Sequence, residues 1–250
     1  MISIVLPTFN ECENLKLLIP IICNVFKGRD IEIIIVDDNS PDGTAEFICG
    51  LSLFNNKNKF IRLITRSEKK GIGGAIAEGY NSANGDIIIS SDADMSLNPS
   101  DMLKLLDKLN CGFDIVVGSK YSKGSVYEKR SFRKLLQSLV SRFGNVYIRL
   151  LLGIPINDFT LNFRAFRKEI WKSISTVEQD NVMLLEMLYR AHTKGYSIAS
   201  IPVEFSERKY GTTKFKFFSN SLPFLIKTTG VGIRRIFTKN KDWRVKNAIE

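Results

Sequence analysis

Histidine is nearly missing from this chain of 250 residues: it occurs once, as His192. A zinc centre or a Ser-His-Asp relay needs imidazoles at set spacings, and one imidazole without a partnering Cys or His supplies neither. His192 therefore reads as structural. Cysteine is scarce too. Cys12, Cys23, Cys49 and Cys111 form no Cys-x-x-Cys pair and no metal-type spacing, so buried free thiols in a reducing compartment are expected. Long apolar runs are absent as well. The longest uncharged stretch near the C-terminus, Phe217 to Ile226, falls far short of the roughly 20 residues needed to cross a bilayer. Met1 to Pro7 has no basic leader and no cleavage site, and reads as a first strand.

Acid is the other scarcity, and it is local. Residues 207–250 carry 11 Lys+Arg against 3 Asp+Glu, a balance of +8, whereas residues 1–206 stand at +2. A near-neutral body with a basic tail points to a polyanionic surface: a membrane, a nucleic acid or a phosphate-bearing substrate. Phe215, Phe217, Phe218, Leu222, Phe224, Leu225 and Ile226 are interleaved with the charges. That clustering favours a helix lying in a lipid interface over a base-stacking platform, so no nucleic-acid partner is expected. A terminal helix that packs its apolar side on the body fits the same pattern.

What is abundant is β-branched sequence closed by acid. Ile33-Ile34-Ile35-Val36 runs into Asp37-Asp38-Asn39-Ser40-Pro41-Asp42-Gly43-Thr44, and Ile87-Ile88-Ile89-Ser90-Ser91 runs into Asp92-Ala93-Asp94. Such runs read as buried strands of a parallel sheet, and ligands of open α/β sheets bind outside the strands' carboxyl ends. Strand signals fall at 2–6, 31–37, 60–65, 86–91 and 113–118. Helical segments lie between them at about 11–26, 43–54, 74–84 and 99–110. The alternation predicts an α/β fold with a mainly parallel central sheet flanked by helices. Asn10 is the expected cap of a helix starting at Glu11, with Asn98 or Ser100 capping the helix after Pro99. Residues 120–134 read as a basic loop, 135–152 as a helix, 159–166 as a short segment, 168–174 and 180–194 as helices, and 196–205 as a further strand. These elements are expected to join the same sheet. The domain division is 1–214, followed by a basic amphipathic helical tail over 215–250.

Carboxylates packed side by side repel, and a divalent cation removes that cost. Asp92-x-Asp94 places two oxygen ligands where Mg²⁺ or Mn²⁺ could be shared with a substrate diphosphate. Asp37 or Asp38, at the end of the second strand, suits hydrogen bonds from a base or ribose, while Pro41 to Thr44 is a turn. Lys69-Lys70-Gly71-Ile72-Gly73-Gly74-Ala75 lies too late in the fold for a dinucleotide fingerprint. It remains open as a phosphate-approaching loop or a flexible turn.

Taken in order, these pieces resemble the polyprenyl-phosphate hexose synthases, the dolichol-phosphate mannose synthase branch of glycosyltransferase family 2. The matching stretches are Leu6 to Glu11, Val36 to Thr44, Lys70 to Gly73, Asp92 to Ser96, Gly118 to Tyr121, Asp158 to Arg167 and Arg208 to Lys214. The resemblance implies a GT-A-like fold that binds a nucleotide sugar. It implies that Pro7, Phe9, Glu11, Val36 and Asp38 hold the nucleoside. Asp92, Ala93, Asp94 and Ser96 would form the metal and diphosphate site, with Asp92 and Asp94 as ligands of Mg²⁺ or Mn²⁺. Lys120, Arg208 and Lys214 would face phosphates, and Asp94, Arg208 and Lys214 would carry catalysis. There are three departures from the family pattern: Phe9 for the usual Tyr, Lys120 for a common Arg, and Leu161-Asn162 where Gly and a small residue usually stand.

The implied reaction moves a hexose, in the leading reading mannose from GDP-mannose, onto a dolichyl or polyprenyl phosphate with inversion. The implied setting is peripheral, at the cytoplasmic face of a membrane, held by the tail or by an anchoring subunit. A phosphate acceptor is already anionic and needs no strong base, in keeping with the lack of a His or Cys nucleophile constellation. Three alternatives stand beside this: UDP-glucose or another donor on the same lipid, a hydroxyl acceptor with Asp158 or Glu186 as base, and a non-catalytic membrane-binding module.

Overall fold

The computed structural model describes residues 1–52, 59–67, 71–127, 132–206, 208–210 and 217–238. The chain runs β1 (Ile2–Thr8), α1 (Cys12–Val25), β2 (Ile31–Asp37), α2 (Thr44–Ser52), β3 (Lys59–Thr65), α3 (Ile72–Ser82), β4 (Ile87–Ser91), α4 (Asp101–Asn110) and β5 (Ile115–Ser119). It continues through β6 (Val126–Tyr127), α5 (Phe132–Leu152), β7 (Phe163–Arg167), α6 (Lys168–Ser173), α7 (Val182–Thr193), β8 (Ile198–Pro202), β9 (Glu204–Phe205) and α8 (Phe217–Thr238). Seven strands form one sheet in the order β3-β2-β1-β4-β7-β5-β8, and β6 pairs with β9.

Alternation along each strand sorts side chains to two covered faces, which is why the strands read as continuous apolar runs. Ile4, Leu6, Ile33, Ile35 and Ile89 pack with α1, α2 and α4 on one face. Val5, Ile34, Val36 and Ile88 pack with α3, α5, α6 and α7 on the other. Pro7 sits in a central strand without breaking it. β1 pairs with β4 only from Ile2 to Val5, so the missing N–H of Pro7 falls beyond that ladder, beside Val36 of β2.

The first four strands are parallel neighbours, as the alternation predicts. β7 is the departure. It lies antiparallel between β4 and β5, and the sequence presents it only as a short segment. Phe163 and Ala165 face one core and Phe166 the other, but Arg164 interrupts the apolar pattern. Arg164 is fully buried, donating to the carbonyls of Leu184 at 2.8 Å and Leu161 at 3.0 Å.

Several local expectations are corrected. The expected strand over 196–205 divides into β8 and β9, and α5 begins at Phe132, inside the stretch read as a loop. Cys12 is buried, but Cys49 and Cys111 are exposed. Asn10 does not cap α1: it adopts φ +57°, and Glu11 takes the N-cap position without a side-chain cap bond. The cap comes from the next turn, where Asp42 Oδ2 accepts from Cys12 N at 2.9 Å and Ser40 Oγ accepts from Asn10 N at 2.8 Å. Ser100 occupies the N-cap of α4 without a side-chain bond, while Asn98 Oδ1 accepts from Ser100 N at 3.0 Å.

Gly71 and Gly73 serve packing. Gly74 N donates to Gln179 O at 2.9 Å, and a Cβ on Gly73 would stand 2.2 Å from Asp180 O. The N-terminus of α3 is therefore closed by the 179–180 backbone and not open to a phosphate; Lys69 and Lys70 lie outside the described residues. A Cβ on Gly50, within α2, meets nothing within 4 Å. Gly73→Ala is expected to lower stability by about 1–3 kcal/mol through overpacking. Gly50→Ala should raise it by about 0.5–1 kcal/mol through helix propensity. Thermal denaturation of the two variants checks the opposite signs.

Candidate active site

The parallel strands end together at one edge, and the turn after β4 carries the acidic pair. Met95, at φ +61°, lies in the left-handed region that a non-glycine residue seldom adopts. The turn lets Ser96 N donate to Asp94 Oδ1 at 3.0 Å. Asp94 Oδ2 receives Arg208 Nε at 3.1 Å, and Arg208 Nη1 stands 3.6 Å from Glu11 Oε1. Glu11 in turn accepts from Asn14 Nδ2 at 2.6 Å, and the same amide reaches Tyr210 O at 3.3 Å. Residues 208–210 are thereby strapped across the start of α1 and the acidic turn. Ser206 N extends the strap by donating to Ser96 O at 2.8 Å.

Asp92 is held from β7's side of the sheet. Asn162 Nδ2 donates to its Oδ1 at 3.2 Å, and Asn162 Oδ1 accepts from Ser90 Oγ at 2.6 Å. Desolvation, with the neighbouring Asp94 charge second, pushes the Asp92 carboxyl up to about 7; the Asn162 bond and the charges of Arg208 and Lys120 oppose the rise. Lys120 reaches this edge from the end of β5, its Nζ 4.7 Å from the Phe205 ring centroid and 5.8 Å from that of Tyr121.

The nucleoside candidates line the ends of β1 and β2. Thr8 Oγ1 donates to Asp37 Oδ1 at 3.0 Å, and Asp37 also accepts from Ser40 N at 2.8 Å. Asp38 is ion-paired with Arg66 Nη1 at 2.7 Å, and both side chains are buried. Val36 has a fully buried side chain packed on α3, so it can offer a ligand only its backbone. Pro7 is buried beside it and Phe9 is partly exposed just beyond.

The donor set is compatible with a hard divalent ion. Two carboxylates share one turn, and desolvation has left the half-buried Asp92 poorly compensated. Among the described residues no group of three or more Asp, Glu, His or Cys forms a cage. That composition suits an ion that completes its coordination with substrate oxygens and water, as Mg²⁺ and Mn²⁺ commonly do.

The Glycosyl transferase family 2 sequence profile matches residues 3–175. The chain belongs to glycosyltransferase family 2. It is 28% identical to a polyprenol monophosphomannose synthase of Mycolicibacterium smegmatis over 99% of this chain and 88% of that protein. It is 33% identical to a dolichol-phosphate mannosyltransferase of Pyrococcus furiosus over 86% of this chain, which spans 59% of that relative's length. Among solved structures it resembles glucosyl-3-phosphoglycerate synthase from Mycobacterium tuberculosis in complex with phosphoglyceric acid. There the TM-score is 0.68 at 19% identity, covering 92% of this chain and 80% of that one. The same enzyme with Mn²⁺, uridine diphosphate and phosphoglyceric acid gives a TM-score of 0.67 at 18% identity, covering 94% and 78%. The protein is thus a glycosyltransferase with a GT-A-like fold.

Against the sequence candidates of this glycosyltransferase, the structure brings Glu11, Asp94 and Arg208 into contact and places Asp92, Ala93, Ser96 and Lys120 around them. Lys214 lies outside the described residues. Neither candidate base is presented to the site. Asp158 is buried, accepting from Thr160 N at 3.2 Å, Thr160 Oγ1 at 3.1 Å and Lys120 N at 3.4 Å. Glu186 is buried against another loop, accepting from Val177 N at 2.8 Å, Glu178 N at 2.9 Å and Arg190 Nε at 2.8 Å.

Sequence reasoning missed Ser90, Asn162, Asn14 and Arg66. Asn162 stood out only as a departure from the family pattern, and Arg66, just past the strand read at 60–65, carried no signal of its own.

An Asp whose folded pKa exceeds its unfolded value stabilises the fold while protonated. For Asp92 without a bound cation, that contribution is present at low pH and is lost as the pH climbs from 3.8 through about 7. Asp92→Asn keeps a neutral side chain throughout. Its Tm relative to the parent is therefore expected to rise with pH across that window, in chelator, as read by thermal melts at several pH values.

Proposed function

We propose that this glycosyltransferase moves mannose from GDP-mannose to the phosphate of a dolichol or other polyprenol, using Mg²⁺ or Mn²⁺ held by Asp92 and Asp94. One geometric observation supports the reading best. The acidic pair is ringed by cations, Arg208 directly and Lys120 nearby, while Asp158 and Glu186 spend their oxygens on internal hydrogen bonds. A site with cations, in which neither of these two carboxylates is presented as a base, suits a nucleophile that is already an anion. The names of the two mannosyl-transferring relatives point the same way.

The chemistry is an in-line displacement. An oxygen of the acceptor phosphate forms a bond to the anomeric carbon as the bond from that carbon to the donor's β-phosphate oxygen breaks. The electron pair leaves with the nucleoside diphosphate, the configuration inverts, and no proton need be removed from the acceptor. A divalent ion, when bound, supplies positive charge for the departing diphosphate. Arg208, 3.1 Å from Asp94, would follow that charge as it develops, and Lys120 and Lys214 would share the phosphates. Pro7, Phe9, Glu11, Val36 through its backbone, and Asp38 would hold the nucleoside, with Ala93 and Ser96 beside the diphosphate. Peripheral attachment at the cytoplasmic face, through the tail or through an anchoring subunit, is the setting this reaction needs. Among the described residues no helix is long and apolar enough to cross a membrane.

A panel of nucleotide sugars with a short polyprenyl phosphate and Mg²⁺ or Mn²⁺ tests the reading. A mannosyl lipid from GDP-mannose is expected. A glucosyl lipid from UDP-glucose alone would overturn the donor, and transfer only to a hydroxyl would overturn the acceptor. Asp94→Asn and excess EDTA should each lower turnover at least about a hundredfold with the fold retained; full activity in EDTA would sink the metal assignment. Arg208→Ala should cost about 10²–10³ in turnover. Lys214→Ala should act on the KM of a phosphate substrate, and unchanged constants for both basic variants would remove this segment from catalysis.

A further inference from the structure

Asn162 is a neutral polar side chain buried at the carboxyl edge of the sheet, and Ser90 is buried beside it. A buried amide is costly unless its ends are bonded. Both ends are. Asn162 Oδ1 accepts from Ser90 Oγ at 2.6 Å, and Asn162 Nδ2 donates to Asp92 Oδ1 at 3.2 Å. The sheet builds this bridge. β4 and β7 run antiparallel, with Ser90 opposite Arg164 and Ser91 opposite Phe163. Continued one step, the register puts Asn162 opposite Asp92, and alternation puts Ser90, Asp92, Asn162 and Arg164 on one face. Arg164 Nη2 donates to the carbonyl of Leu161 at 3.0 Å, which fixes the backbone from which Asn162 projects.

The two contacts have a direction. An amide offers an acceptor at one end and donors at the other. The Ser90 hydroxyl donates to the oxygen end, so the N–H end is turned toward the carboxylate. A flipped amide would set oxygen against oxygen at Asp92. The same bonds exclude two other roles. Only its oxygen could let Asn162 ligate a hard cation, and that oxygen faces Ser90 instead of the acidic pair. At 3% exposure the side chain offers a sugar almost no surface.

We propose that Asn162, turned by Ser90, is the positioning residue that holds the Asp92 carboxylate in place for a divalent ion. The inference rests on the reading of Asp92 and Asp94 as ion ligands. Asp94 is steadied by Ser96 N and Arg208, and Asp92 by the Asn162 amide. Without that amide the carboxylate regains rotamer freedom that ion binding must then remove, and affinity falls. The bridge is particular to this chain. Asn162 is among its departures from the family pattern, and a small residue there could not span Ser90 and Asp92.

Mn²⁺ uptake by the full chain, read from the EPR signal of the free ion with GDP and separately with UDP present, tests it. The parent is expected to bind the ion and Asp94→Asn to lose it. Asn162→Ala should weaken uptake by about 10- to 100-fold. Ser90→Ala leaves the amide present but unoriented, and should weaken uptake by about threefold to tenfold. The double variant should bind no worse than Asn162→Ala, because Ser90 acts through the amide. In mannosyl transfer the KM for Mn²⁺ should rise with the binding constant, while kcat at saturating Mn²⁺ falls far less. A general packing fault would instead lower kcat at every Mn²⁺ concentration. Thermal melts identify the folded variants; if Asn162→Ala is not among them, Ser90→Ala decides. No Mn²⁺ uptake by the parent would overturn the metal reading and this inference together. Uptake lost in Asp94→Asn but undiminished in the folded Asn162 or Ser90 variant would overturn this inference alone, as would additive losses in the double variant.

Discussion

Repulsion between Asp92 and Asp94 governs how the carboxyl edge is furnished. Two unit charges about 4 Å apart interact at about 4 kcal/mol where the effective dielectric is near 20, and burial sharpens the conflict. Every neighbour moderates it. Ser96 N and Arg208 serve Asp94, Asn162 serves Asp92, and Lys120 lends charge from β5. The moderation is incomplete, since the Asp92 carboxyl still rises to about 7. A fold that wanted only stability would replace one carboxylate by an amide. Keeping both leaves a demand for positive charge that a divalent ion could meet.

The supports of this pair come from distant parts of the chain. Ser90 is on β4, Asn162 directly precedes β7, and Arg208 follows β9, so the site depends on β7 being inserted next to β4. Arg164 secures that insertion at a cost. It is a buried cation whose hydrogen bonds go to two carbonyls, and its Nε has no partner among the described residues. The two carbonyls belong to Leu161, which adjoins Asn162, and to Leu184 on α7. A single guanidinium thus ties the loop beside Asp92 to the helix layer behind the sheet.

The strand-helix alternation of residues 1–119 was readable because each strand there is an unbroken apolar run ended by turn chemistry. β7 was not, because Arg164 stands second among its five residues and the pattern lost its period. The acidic pair and Arg208 were legible as types at telling places. Asn162 was not, since its value lies in a contact with Asp92 across 70 positions. The caps failed for a related reason: Asp42, not the local Asn10, receives the N–H of Cys12 across 30 positions. Spacing reports neighbours along a helix or strand and is silent on bonds between loops.

The insertion of β7 also orders events in time. β5 and β8 reach the rest of the sheet only through β7, which pairs with β4 on one side and β5 on the other. A chain emerging from the ribosome can zip β1 to β4 in parallel once residue 91 is out, but β4 then presents an open edge. β5, at 115–119, is made before its bridge at 163–167 and must wait for it. The interval is a window in which an apolar strand and an unpaired edge coexist, the circumstance that invites chaperone binding or mispairing. The buried arginine that hides β7 from sequence patterns also makes β7 itself, unlike the waiting β5, a poor aggregation seed, because a charged residue within it resists pairing anywhere but in its own slot.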